Sequence, residues 1–134
     1  MTEKAGEKQE QVGVDAIALV ADLLFASRIR AVAALTGVKV VTVGSQETFW
    51  RVVRERRPKL IVIDLDPRIG SGPDMIRELK ADPELGDVVL VAFGSHMQRD
   101  ILQAARAAGA DRVLARSGFV RELPTLLRGI DAAS

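Results

Sequence analysis

The chain has 134 residues, 48% hydrophobic but only 4% aromatic, which fits one domain with a core of Val, Ile, Leu and Ala. Nineteen basic residues nearly cancel eighteen acidic ones, leaving a net charge of +1, so no broad electrostatic footprint for nucleic acid is present. The lack of cysteine excludes disulfides, thiol catalysis and thiolate metal sites together.

Residues 1–13 are polar, charged and aperiodic, and read as a flexible leader before a domain over 14–134. The start has no apolar signal-peptide segment, and no apolar run approaches the ~18 residues of a membrane span, so a cytoplasmic protein without membrane contact is expected. From there short apolar runs alternate with amphipathic stretches. Ile17–Ala21 reads as a first buried strand, and Phe25, Ile29, Val32 and Ala33 share one face of a first helix. Val38–Val43 reads as a second strand, followed by a helix that starts at Ser45 and buries Phe49, Val52 and Val53. Leu60–Ile63 is a third strand, and the helix after it carries Pro73 and Asp74 in its first turn with Met75, Ile76 and Leu79 inward. Val88–Phe93 is a fourth strand. Ile101, Ala104, Ala105 and Ala108 mark a fourth helix that Gly109 stops. Arg112–Ala115 is a fifth strand, and Phe119, Leu123, Leu126, Leu127 and Ile130 mark the last helix.

This alternation predicts an α/β domain: a parallel, doubly wound, flavodoxin-like (βα)5 sheet of strand order 2-1-3-4-5. Ligands of such sheets gather beyond the carboxyl ends of the strands. The informative residues are then Asp22 to Leu24, Asp64 to Gly72, Gly94 to His96, and Arg116 to Gly118.

Two segments at those positions carry a family signal. Pro58-Lys-Leu-Ile-Val-Ile-Asp64-Leu ends an apolar strand on an aspartate, with Gly72 eight residues on and Met75–Pro83 as helix and exit. Ala107-Ala-Gly-Ala-Asp111 forms a turn before the fifth strand. Over residues 15–131 the chain resembles the CheY-like receiver domain of bacterial response regulators, in a divergent form. The resemblance implies phosphorelay signalling by a stand-alone domain that is not itself an enzyme. It implies Asp64 as phosphoacceptor, Asp22, Asp64 and the Asp66 carbonyl as ligands of a weakened Mg²⁺ site, and Ser95 and Arg116 as phosphate-binding groups.

Several positions depart from the family pattern. The acidic pair after strand one is reduced to Asp22, preceded by Ala21. Gly94 stands where the hydroxyl after strand four aligns, with Ser95 one residue later; Ser95 is either displaced toward phosphate or a cap for the fourth helix. The Lys-Pro after strand five is Arg116-Ser117, and a planar guanidinium favours a standing pair with Asp64. Pro67 sits one residue earlier than the family's proline, Val113 replaces a switching aromatic, and His96 lacks companions for a triad or metal site. Leu23 and Leu24 either pack under the first helix or make the site rim apolar. Arg51, Arg54, Arg56 and Arg57 with Trp50 read as a solvated basic face or a contact for an acidic partner.

The leading expectation is a divergent receiver acting by protein–protein contact. Its partner would be a histidine kinase, a phosphotransfer protein or another signalling protein, and residues 97–131 would serve in a homodimer. A competing expectation is a working Mg²⁺-dependent phosphoacceptor. A third is a flavin- or nucleotide-binding domain of the same fold, although the loop 22–27 offers no glycine-rich phosphate cradle.

Overall fold

The computed structural model describes residues 14–133; the expected leader, 1–13, lies outside the described residues. The elements are β1 (Ala16–Leu19), α1 (Leu23–Thr36), β2 (Val40–Val43), α2 (Gln46–Arg56), β3 (Leu60–Asp64), α3 (Gly72–Ala81), a 3-10 turn (Pro83–Leu85), β4 (Val89–Gly94), α4 (Arg99–Ala108), β5 (Arg112–Ala115) and α5 (Arg116–Ala133). All strand pairs are parallel, in the order β2-β1-β3-β4-β5 expected from the sequence.

The strands are apolar on both sides because helices cover both sides. Ile17, Leu19, Ile61 and Ile63 point to the layer of α2, α3 and α4, where Phe49, Met75, Ile76 and Leu102 meet them. Ala16, Ala18, Val62 and Val91 point to the layer of α1 and α5, and small alanines there leave room for Phe25, Phe93 and Phe119. Phe93 and Phe119 stack with centroids 4.6 Å apart, and Phe25 lies tilted against them, 5.1 Å from Phe93.

Local chemistry sets the helix ends. Asp22, Ser45 and Ser71 cap α1, α2 and α3 by accepting backbone N–H bonds, which satisfies donors that a helix start leaves orphaned. Gly109 ends α4 at φ 113°, a conformation that glycine takes without a steric penalty. Two boundaries differ from the sequence expectation. The fourth helix starts at Arg99, with no side-chain cap, because residues 95–98 form a separate turn. The fifth helix follows β5 with no intervening loop, so Arg116 is already helical. No helix among the described residues is long and apolar enough to cross a membrane.

Candidate functional site

Asp64 ends β3 at the centre of the sheet and is only 2% exposed, the sole buried charged residue among those described. Its Oδ2 accepts the Ala21 N–H at 3.1 Å and its Oδ1 the Asp66 N–H at 3.0 Å. Burial pushes the carboxyl above its ordinary range, against the two backbone N–H groups and the Arg116 charge, which pull it down; Asp66 adds repulsion. A cavity of about 390 Å³ opens over it, lined by Asp64, Asp66, Gly94, Ser95, Met97 and Arg116 among others.

The groups around that cavity are largely engaged elsewhere. Asp22 Oδ1 accepts from Leu24 N at 2.8 Å and Phe25 N at 3.3 Å as the cap of α1. The Asp66 carboxylate accepts from the Arg68 backbone at 2.9 Å and, bidentately, from Arg68 Nε at 3.1 Å and Nη2 at 2.6 Å. That fork holds the Asp66 carboxyl below the usual carboxylate range. The Asp66 carbonyl accepts from Ile69 N at 3.0 Å, closing a turn with Pro67 at its second position.

Gly94 sits tightly where the hydroxyl is expected: a Cβ there would lie 3.2 Å from Leu65 Cβ, which would have to give by a few tenths of an ångström. Ser95 lines the cavity, but its Oγ accepts from Met97 N at 3.1 Å. It therefore caps the turn before α4, which corrects the expectation that it caps the helix itself.

Arg116 does not make the expected standing pair with Asp64. No ion pair or hydrogen bond joins them among the described residues. The guanidinium lies instead over Phe25, 4.6 Å from the ring centroid, and 5.4 Å from that of Phe93. A planar, weakly hydrated cation gains from an aromatic face. Starting α5 at residue 116 fixes the backbone that carries it.

Leu23 and Leu24 take the second of their two expected arrangements. They are 82% and 84% exposed and, with exposed Met97, make the strand-end rim apolar. His96 is exposed beside a larger neighbouring cleft. On α2, Trp50 is half-buried edge-on to Phe49 and Arg54 lies 6.0 Å from its ring, while Arg57 pairs with Glu84. Met97 and Arg68 went unread in the sequence, and Phe25, Phe93 and Phe119 were read only as apolar residues of separate elements. The Asp66-Pro67-Arg68 spacing was the one available signal, since Asp before Pro starts a turn whose third residue its carboxylate reaches.

The chain matches no protein-family model and no curated protein sequence. Solved structures do match. The signal receiver domain of a DNA-binding response regulator from Colwellia psychrerythraea 34H superposes with a TM-score of 0.77 at 14% identity, covering 88% of this chain and 98% of that one. This is the receiver-domain fold. HP1043, an orphan response regulator of H. pylori, gives 0.72 at 15% identity, covering 90% and 96%. The Mn²⁺-bound form of response regulator Rcp1 gives 0.71 at 16%, covering 89% and 92%. Likeness at these identities establishes the fold, and the site itself has to supply the function.

Divalent metal would need several oxygen donors turned to one point. Here Asp22 caps a helix, the Asp66 carbonyl accepts from Ile69 N and the Asp66 carboxylate holds Arg68. Among the described residues no three His, Cys, Asp or Glu side chains form a metal-ligating group. The donor set does not fit a Mg²⁺ cradle in this arrangement.

Proposed function

We propose that this chain is a receiver-like signalling domain that acts by docking to protein partners and does not depend on phosphorylation of Asp64. One observation carries the reading: the cation after β5, Arg116, rests on Phe25 and Phe93 rather than at the Asp64 carboxylate. A phosphoryl group on Asp64 would need that charge, a free hydroxyl and a metal. The charge and the metal ligands are diverted: Arg116 to the rings, Asp22 to its cap and the Asp66 carbonyl to Ile69 N, while Ser95 Oγ accepts from Met97 N and keeps its own O–H. Exposed Leu23, Leu24 and Met97 supply apolar area for a partner. That partner is a histidine kinase, a phosphotransfer protein or another signalling protein, and the α4-β5-α5 segment, 97–131, serves a homodimer.

The cavity over Asp64 favours a second reading, a phosphorylatable domain with Asp64 as acceptor and Ser95 and Arg116 at the phosphate. It requires the Asp22 carboxylate to leave its cap and the Asp66 carbonyl to serve a metal as well as Ile69 N. Incubation with acetyl phosphate, with and without Mg²⁺, followed by intact mass measurement separates the two. The first reading expects no stoichiometric phosphoryl adduct in either condition. A stoichiometric, Mg²⁺-dependent adduct that disappears in Asp64→Asn overturns it.

A further inference from the structure

Beside the Asp64 cavity lies a second and larger one, about 750 Å³, between α1, the β4–α4 turn and the start of α5. Its volume falls within the roughly 300–1,000 Å³ of small-molecule sites. The walls combine two guanidinium groups, Arg28 and Arg116, two hydroxyls, Ser95 and Ser117, and the apolar side chains of Leu24 and Val120.

Three features of these walls are unexplained by the fold. Arg116 is half-buried, yet none of its N–H groups has a hydrogen-bond acceptor or ion-pair partner among the described residues. No described side-chain nitrogen is both sealed from solvent and unsatisfied, so its donors open onto free space. Arg28 is exposed and equally without an acceptor among the described residues. Leu24 is 84% exposed beside them, an apolar side chain with nothing covering it. The one carboxylate in the cleft, Asp22, accepts the amides of Leu24 and Phe25 on Oδ1, and the two guanidinium groups outnumber it.

We propose that this cleft binds a small anion with a flat apolar body, such as a ring bearing a phosphate or carboxylate. The acidic group takes the free N–H donors of Arg116 and Arg28 and the Ser117 hydroxyl. The flat body covers Leu24 and Val120 and stacks on the outer face of the Arg116 plane, whose inner face lies on Phe25. A bare phosphate leaves most of the cleft and both apolar walls unused. Arg116 and Ser95 also line the Asp64 cavity, so an occupant here acts on the same strand-end surface by non-covalent binding. The inference does not require Asp64 to be phosphorylated or inert, and its test is independent of the acetyl phosphate experiment.

The test is a ¹H–¹⁵N NMR titration of the full chain with AMP, salicylate, adenosine and inorganic phosphate. At least one ring-bearing anion, AMP or salicylate, is expected to bind saturably with a dissociation constant below about 1 mM, moving the amides of Leu24, Ser95 and Ser117. Adenosine and phosphate are expected to bind at least about tenfold more weakly, because each supplies half of the interaction. Arg116→Met and Arg28→Gln should each weaken binding by about tenfold, and Arg77→Gln, on α3, should leave it unchanged. Arg28 is exposed, so its variant reports on binding even if Arg116→Met perturbs the fold. Three results overturn the proposal: neither ring-bearing anion saturates, phosphate alone binds as tightly as AMP, or binding survives the Arg28→Gln, Arg116→Met double substitution.

Discussion

The two faces of the sheet are built differently, and the difference reaches the site. On the α2-α3-α4 face Ile17, Leu19, Ile61 and Ile63 meet Ile76, Leu79 and Leu102, with Phe49 and half-buried Trp50 as its aromatic residues. The α1-α5 face sets small Ala16 and Ala18 against three phenylalanines. On the α2-α3-α4 face the aromatic pair sits on α2, where Arg54 lies 6.0 Å from the Trp50 ring. The α1-α5 face offers Arg116 two rings at the point where β5 hands over to α5, and the cation settles there instead of on a carboxylate. Core packing on one side of the sheet thus decides the electrostatics at its end.

The largest test of that contrast is truncation. Phe93 is fully buried and stacked on Phe119, so Phe93→Ala is expected to cost about 3–5 kcal/mol, against about 0.5–1.5 kcal/mol for Ile61→Val on the other face. Urea unfolding measures both, and a Phe93→Ala cost below about 3 kcal/mol would show that the ring is not packed as a full core contact. Next, Arg116→Ala should cost about 1 kcal/mol through the lost ring contacts. It should also move Asp64 titration to still higher pH, because the Arg116 charge now pulls that carboxyl down. Carboxylate ¹³C shifts follow this directly; an unmoved Asp64 titration would place Arg116 too far away to matter.

The burial of Asp64 has its own signature. Its folded value is raised, so the native state holds its proton more tightly than the unfolded chain, whose value is about 3.9. The stability this contributes is complete below about pH 3.9 and is lost as pH rises through the higher folded value. Asp64→Asn lacks that dependence. The stability of the wild type minus that of the variant should therefore fall across this window and then level off, and a flat difference would show an undesolvated carboxyl. The smallest effect concerns the loop. Arg68→Gln is expected to leave the unfolding midpoint nearly unchanged, since the Arg68 end of the pair is in solvent. The Asp66 carboxyl should return upward toward its ordinary range, read by the same ¹³C shifts.

Much of the fold was legible along the chain because its causes are local. β-branched runs between amphipathic stretches name the strands, and Ser45, Pro73 and Gly109 mark helix ends by backbone chemistry that acts over a few residues. The site was legible only as a set of positions. Asp64 lies at the end of β3, as its strand pattern indicates, and Asp22, Asp66, Ser95 and Arg116 border the two strand-end cavities. Their engagements were not legible, because each is settled by a competitor. Asp22 could face a cavity or two orphan amides, and the amides of its own helix are nearer. Asp66 could face the same cavity, but Arg68 is two residues away.

By itself, then, the order of residues determined the alternation of strands and helices, the strand order that right-handed crossovers allow, and the place of a buried aspartate. Those follow from periodicity and short-range geometry, which a linear chain carries. Only the tertiary structure decided that Phe25, Phe93 and Phe119, drawn from α1, β4 and α5, meet beneath Arg116. A stacked cation depends on the distance between side chains remote in sequence. That distance exists only once the sheet has brought their elements together.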